Sequence, residues 1–244
     1  MAHDIVLHLK TIADSIIEDG VPSHIPGGLL AKVRTAIGGN LDDIPGQTSG
    51  HLYELLKWRE LIHERPYKKV TESPLDATDK ADVLTQRSDG KKVATQAKWT
   101  TGASKRGAYS NLNKAISQLS GQEGEHPPAN SLLVADVVIT KVPVDQQLSH
   151  DEMADRIRAT SHTAGIELRA LQTTITVPGD PQSDLSTKTT YYSDDGVTVK
   201  HRTIVTIRPD INGVPVIGRG LRDAAREIGM DELKSQLREL ANSY

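Results

Sequence analysis

The chain has 244 residues, a formal net charge of −3 and 36% hydrophobic residues, and it contains neither Cys nor Phe. This length and composition allow a sizeable core, which must be built mainly from Leu, Ile, Val and Ala. The absence of Cys excludes disulfide bonds, thiolate metal sites and a cysteine nucleophile. No apolar run reaches the roughly 18 residues of a membrane span, and the first residues lack the basic segment of a signal peptide. We therefore expect a cytoplasmic protein without membrane contact.

Basic residues are concentrated in one part of this acidic chain. Residues 50–120 carry 13 Lys and Arg side chains against 8 Asp and Glu side chains. A basic surface on an acidic protein is compatible with a phosphate-bearing substrate. Since Lys and Arg also cover ordinary soluble surfaces, charge alone leaves both interpretations open.

The first part of the chain predicts helices. Residues 3–19 place apolar side chains at helical spacing, and Gly and Pro residues follow. A second helix is predicted over residues 29–37. A third is predicted over residues 49–63, with Ser49 as its N-cap.

The next segment predicts a hairpin followed by a helix and a buried strand. Two β-patterned runs, at about residues 81–87 and 92–99, flank a polar turn that contains Gly90. A helix is then expected over residues 108–119, and a continuous apolar run predicts a strand over residues 131–141.

The second half predicts a helix over residues 151–164, a strand over 173–177, a hairpin from 188–192 to 197–207, and a helical region over 220–241 that Gly229 can break in two. The pattern as a whole predicts an α/β fold with a mixed β-sheet flanked by helices. We divide it into an N-terminal helical segment (1–48), a core (49–145) and a C-terminal α+β region (146–244) that serves specificity or dimerisation.

Three polar side chains form a candidate active site. In the predicted hairpin, Asp82 lies about opposite Gln96, and Lys98 shares a face with Gln96 because it is two residues further along. A carboxylate, a carbonyl oxygen and an ammonium would then converge, which suits a hard metal ion and a phosphate. The alternative is ordinary surface chemistry, with Asp82 capping a turn or pairing with Lys80, and the other two on the solvated face of an edge strand.

The order of helix, hairpin, helix and buried strand, together with these residues, resembles the core of the PD-(D/E)xK superfamily of restriction-endonuclease-like nucleases. In that family a helix often supplies a Glu, the next strand an Asp, and the following strand Glu-x-Lys or, less often, Gln-x-Lys. The resemblance covers about residues 49–141. It implies that Glu54, Asp82, Gln96 and Lys98 are catalytic.

The same resemblance implies a cofactor and a substrate. Asp82, Gln96 and Glu54 would be ligands of Mg²⁺, for which Mn²⁺ can substitute. The expected activity is hydrolysis of phosphodiester bonds, most often in double-stranded DNA, by a homodimeric restriction or defence endonuclease. Three polar side chains beyond the hairpin are expected to contact nucleic acid: Lys105, Arg106 and Asn111.

Two alternatives stay open at this point. Similar cores occur in bacterial toxins that cut DNA or tRNA, and such a toxin would need an acidic immunity protein as its partner. The chain could also be a nucleic-acid-binding scaffold without catalysis, since the neutral Gln96 stands where the family more often has a carboxylate.

Overall fold

Two groups of secondary-structure elements build this protein in the computed structural model. One unit comprises Met1–Ser73 and Asp210–Tyr244, and the other comprises Pro74–Pro209. The residues that the structure describes are 2–63, 67–69, 81–87, 90, 92–100, 105–119, 132–139, 155–156, 159, 172–176, 185–192, 199–207 and 213–244.

In chain order the elements are α1 (Ala2–Glu18), α2 (His24–Ala36), a 3₁₀ turn (Leu41–Asp43), α3 (Ile44–His63), β1 (Tyr67–Lys69), β2 (Val83–Arg87), β3 (Lys92–Thr100), α4 (Lys105–Leu119), β4 (Leu132–Ile139), β5 (Gln172–Thr176), β6 (Leu185–Tyr192), β7 (Val199–Ile207), α5 (Val214–Ile228) and α6 (Met230–Asn242). Residues 155, 156 and 159 are also helical. Among the described residues, no helix is long and apolar enough to cross a membrane.

The helices of the first unit share one core. Leu9, Ile12 and Ile16 of α1 are buried because their spacing of three and four residues places them on one face. α5 packs against α1 and α3, and α6 packs against α2. Each buried Leu or Ile contributes about 1.5–3 kcal/mol of stability. The C-terminal helices therefore complete the core that the N-terminal helices begin.

Glycines allow two of these helices to approach α5 closely. A Cβ atom added at Gly218 would lie 3.1 Å from the Cα atom of Pro45, and one added at Gly220 would lie 2.8 Å from the Cδ1 atom of Ile5. The first of these contacts involves backbone, which cannot swing aside as a side chain can. Gly218 thus sets the spacing between α5 and α3.

Several helices begin earlier than the sequence pattern predicts, and α2, α3 and α5 begin at residues 24, 44 and 214 instead of 29, 49 and 220. α3 begins at Ile44, so the predicted N-cap at Ser49 is wrong; the Ser49 hydroxyl lies inside the helix and donates to the Pro45 carbonyl. α2 begins at His24 and includes Pro26. Proline is tolerated in the first turn, where its missing N–H has no helical partner. Pro26, which follows the first predicted helix, is therefore part of the start of α2.

The predicted break at Gly229 is confirmed. This residue separates α5 from α6 and has φ +88°, a backbone conformation that L side chains rarely adopt. Its N–H donates to the Ala225 carbonyl and closes the end of α5. The single apolar pattern of residues 220–241 therefore folds as two helices.

The second unit contains a mixed sheet. Its strands lie in the order β2-β3-β4-β7-β6-β5. β4 runs parallel to both β3 and β7, and the other neighbouring pairs in this order are antiparallel. α4 packs on β3 and β4. The predicted α/β class with a mixed sheet and flanking helix is confirmed, as are the antiparallel strand pairs of the two predicted hairpins.

The two units do not coincide with the predicted domain boundaries at residues 48/49 and 145/146. The helical segment before residue 49 belongs with α3 and with the C-terminal helices, and β7 belongs beside β4. This arrangement follows from long-range pairing of apolar faces, which local composition does not encode. The predicted turns at residues 88–89 and 193–196, and most of the predicted helix at 151–164, lie outside the described residues.

Candidate active site

The pairing of β2 with β3 positions the polar residues at one end of the hairpin. Val83 lies opposite Thr95 in the antiparallel register, so the preceding residue, Asp82, lies opposite Gln96. Both strands contain β-branched Val and Thr residues, which suit pleated, half-buried surfaces. Lys98 is two residues beyond Gln96 and projects from the same face.

Asp82, Gln96 and Lys98 form a hydrogen-bonded cluster. The Nζ atom of Lys98 lies 3.0 Å from Asp82 Oδ2 and 2.9 Å from Gln96 Oε1, and it donates to both. The backbone N–H of Ala97 also donates to Asp82 Oδ2, at 2.8 Å. The convergence that the sequence predicts for these three side chains is confirmed.

The cluster is largely withdrawn from solvent. Gln96 is 2% exposed, and the side chains of Asp82 and Lys98 are 21% and 17% exposed. Electrostatic interactions are stronger here than in bulk water because the surrounding protein has a lower effective dielectric constant. The carboxylate and the ammonium balance each other, and Gln96 is neutral. The three side chains therefore have a formal net charge of zero.

Asp82 and Gln96 offer oxygens of the kind that can bind a divalent cation. Two oxygens, one from a carboxylate and one from an amide, already converge on a positive group, the Lys98 ammonium. Mg²⁺ in proteins is often held by one or two carboxylates, with waters and substrate phosphates as its other ligands. Within the described part of the chain, no group of three or more His, Cys, Asp or Glu side chains gathers to hold a metal ion. Asp82 and Gln96 would thus form only part of a coordination shell.

Glu54, which we expected as a third ligand, lies on α3 in the first unit. Its carboxylate is 3.8 Å from His51 Nδ1 and 3.9 Å from Lys32 Nζ, and its side chain is 17% exposed. These contacts lie within the first unit, whereas the cluster belongs to the second. A role for Glu54 as a metal ligand stays a prediction.

The three residues expected to contact nucleic acid lie on α4. Lys105 is its first residue, and Arg106 is exposed. Asn111 donates from Nδ2 to the Thr100 hydroxyl over 2.6 Å, so part of its side chain ties α4 to the end of β3. Arg106 is exposed to solvent and stays a predicted phosphate contact, whereas Asn111 has an evident structural role.

Sequence reasoning missed two features of this region. The first is the Ala97 N–H, which holds the Asp82 carboxylate; side-chain motifs contain no signal for a backbone donor. The second is Asp136 on β4, an acidic residue that is 3% exposed. It pairs in register with Ala97 and therefore lies on the opposite face of the sheet from Gln96 and Lys98. An acid inside the apolar run of residues 132–139 is the signal that could have drawn attention to it.

Comparison with known proteins provides no further assignment. No family model matches the chain, and neither a curated protein nor a solved structure matches it. The resemblance to the PD-(D/E)xK nucleases therefore depends on the residues of the cluster and on the order of the elements around it.

Proposed function

We propose that this protein is a Mg²⁺-dependent endonuclease that hydrolyses phosphodiester bonds. Double-stranded DNA is the substrate that we favour. The observation that carries the proposal is the convergence of Asp82, Gln96 and Lys98 on one point of the β2–β3 hairpin. The carboxylate and the carbonyl oxygen can bind a cation, and the ammonium can bind a phosphate.

Each member of the cluster would have a distinct role. Asp82 and Gln96 would hold the cation through one carboxylate and one carbonyl oxygen. A bound Mg²⁺ would supply Lewis-acid polarisation of a phosphoryl oxygen and would lower the pKa of a ligating water. Lys98 would donate a hydrogen bond to the phosphate and stabilise the negative charge that develops there, or it would orient the attacking water.

The order of elements supports the same proposal. The cluster lies on an antiparallel hairpin, and α4 and the parallel strand β4 follow it. This order is the one for which we noted a resemblance to a restriction-endonuclease-like core, with α3 preceding the hairpin. We also propose that residues 49–141 form such a core and that Lys105 and Arg106 contact nucleic acid. The protein would act as a homodimer, which cuts both strands, and in the cytoplasm.

One observation favours a second candidate, a nucleic-acid-binding scaffold without catalysis. The three clustered side chains have no net charge, and the described residues include no larger group of metal-binding side chains. A neutral site attracts a divalent cation less than an acidic one does. The scaffold and the enzyme therefore differ in whether Asp82 supports metal-dependent turnover.

A cleavage assay tests the proposal directly. Plasmid DNA and total tRNA are each incubated with the protein in Mg²⁺, in Mn²⁺ and in EDTA. We expect metal-dependent nicking or cutting of the plasmid, and a loss of roughly 100-fold or more in Lys98→Ala, because one preorganised charge-stabilising group is removed.

Lys92→Ala is the matched control. Lys92 is exposed at the start of the same strand, so its substitution makes the same change of charge away from the cluster. Cutting of tRNA rather than DNA would favour a toxin with an immunity partner. If neither substrate is cut, or if Lys98→Ala cuts as fast as the unaltered protein, the endonuclease proposal is wrong and the scaffold replaces it.

A further inference from the structure

The Lys98 ammonium lies where a metal ion would have to bind. It is the cation on which Asp82 Oδ2 and Gln96 Oε1 converge, at 3.0 Å and 2.9 Å. A divalent ion that used the same two oxygens would meet this ammonium at close range. Two like charges at such a distance repel strongly in a partly buried site.

We propose that Gln96 and Lys98 make cation binding depend on the substrate: a divalent ion binds well only when a phosphate draws the Lys98 ammonium away from Asp82. This inference rests on the proposed function for the identity of the substrate. It adds that the site is self-blocked by its own lysine when no phosphate is present.

The charge at position 96 decides whether Lys98 alone can neutralise the cluster. A Glu there would add a negative charge, which would leave the site anionic even with Lys98 in place. Gln96 adds none, so the single carboxylate of Asp82 is already balanced by Lys98. A phosphate brings the missing negative charge, and it also offers the ammonium another acceptor.

The geometry allows Lys98 to leave while the ligands stay. Asp82 is anchored by the Ala97 N–H, a backbone donor that does not move with the lysine. Gln96 is almost fully buried, which restricts its side chain. The Lys98 side chain, by contrast, has a flexible four-carbon stem that can turn about several bonds. The two oxygens therefore stay in place for a cation after the ammonium has turned to a phosphate.

The experiment measures Mn²⁺ binding to the full chain without nucleic acid, from the signal of unbound Mn²⁺ in electron paramagnetic resonance. We expect Lys98→Met and Gln96→Glu each to tighten Mn²⁺ binding at least tenfold over the unaltered protein. Lys92→Met removes the same charge from an exposed residue of the same strand, and it should change the affinity for Mn²⁺ less than twofold. Circular dichroism verifies the fold, and Lys98→Gln replaces Lys98→Met if the latter does not fold.

A second measurement adds a short DNA duplex of mixed sequence, with the Mn²⁺ bound by the duplex alone subtracted. The duplex should tighten Mn²⁺ binding at least tenfold in the unaltered protein and much less in Lys98→Met, where no ammonium blocks the site. The inference is overturned if a folded Lys98 variant binds Mn²⁺ no more tightly than the unaltered protein. It is also overturned if the duplex changes the Mn²⁺ affinity of the variant and of the unaltered protein by the same factor.

The two proposals fail in different ways. Tighter Mn²⁺ binding in Lys98→Met without cleavage of any nucleic acid would retain the blocked cation site and refute the endonuclease. Lys98-dependent cleavage with unchanged Mn²⁺ binding in the variant would retain the endonuclease and refute the self-blocked site.

Discussion

Replacing Asp82 separates its two structural roles. Its Oδ2 atom accepts one hydrogen bond from the Ala97 N–H and another from Lys98 Nζ. Asp82→Asn removes the charge but retains an oxygen that can accept from the backbone. Asp82→Ala removes both the charge and the acceptor.

The magnitudes follow from burial. Ala97 is 4% exposed, so without Asp82 its N–H is a buried donor without a partner, which costs about 1–3 kcal/mol. Asn in place of Asp82 can still accept a hydrogen bond from Lys98, so loss of the charge alone costs about 1 kcal/mol although the pair is largely withdrawn from solvent. We therefore expect Asp82→Asn to lower the free energy of unfolding by about 1 kcal/mol, and Asp82→Ala by about 2–4 kcal/mol.

Equilibrium unfolding in urea measures the difference. Trp99 lies on β3 directly after Lys98 and reports on the second unit by its fluorescence. A Trp58→Phe background, common to every variant, removes the signal of the first unit. Lys92→Ala is the control and should stay within about 0.5 kcal/mol, since it is an exposed substitution. Equal losses for Asp82→Asn and Asp82→Ala would refute the anchoring of Asp82 by the Ala97 backbone.

The first unit supports further predictions. Gly50→Ala should stabilise the protein by about 0.5–1 kcal/mol, because a Cβ atom there meets no neighbour in an exposed helix interior. Gly218→Ala should not stabilise it, because the added Cβ atom would press on the α3 backbone. Thermal denaturation compares the two variants. Tyr244→Phe removes a hydrogen bond to Asp14 and should cost about 1 kcal/mol, measured by urea unfolding. Hydrogen bonds from Lys10 and Tyr244 lower the pKa of the Asp14 carboxyl, so its contribution to stability is present above the unfolded-state pKa of about 3.9 and is lost as the pH falls through the lowered pKa. Unfolding titrations should show this acid-side dependence weakened in Asp14→Asn; an unchanged profile would contradict it.

Much of the candidate site was predictable from the sequence. The hairpin register follows from two β-patterned runs and a short turn, and it determines that Asp82 faces Gln96. The face shared by Gln96 and Lys98 follows from the period of two in any strand. Both features depend on residues close together in the sequence, so they can be predicted without the tertiary structure.

The residues at which the helices begin were less predictable, because they depend on contacts with distant parts of the chain. The pattern around residues 44–49 contains both a proline and a serine, and each is common at the beginning of a helix. The helix begins at Ile44, whose side chain is buried in the core of the first unit. Burial of one apolar residue by distant helices therefore decided between two acceptable local starts.

By itself, the sequence determined the α/β class, the apolar faces of the helices, and the convergence of Asp82, Gln96 and Lys98, because each depends on the periodicity of neighbouring residues. Only the tertiary structure decided that β4 lies between β3 and β7, and that the C-terminal helices join the N-terminal ones in a discontinuous unit. It also revealed that Lys98 is bound to both Asp82 and Gln96, with Asp82 anchored to the Ala97 backbone. Such contacts depend on which faces meet across long stretches of chain, and on backbone groups that every residue shares.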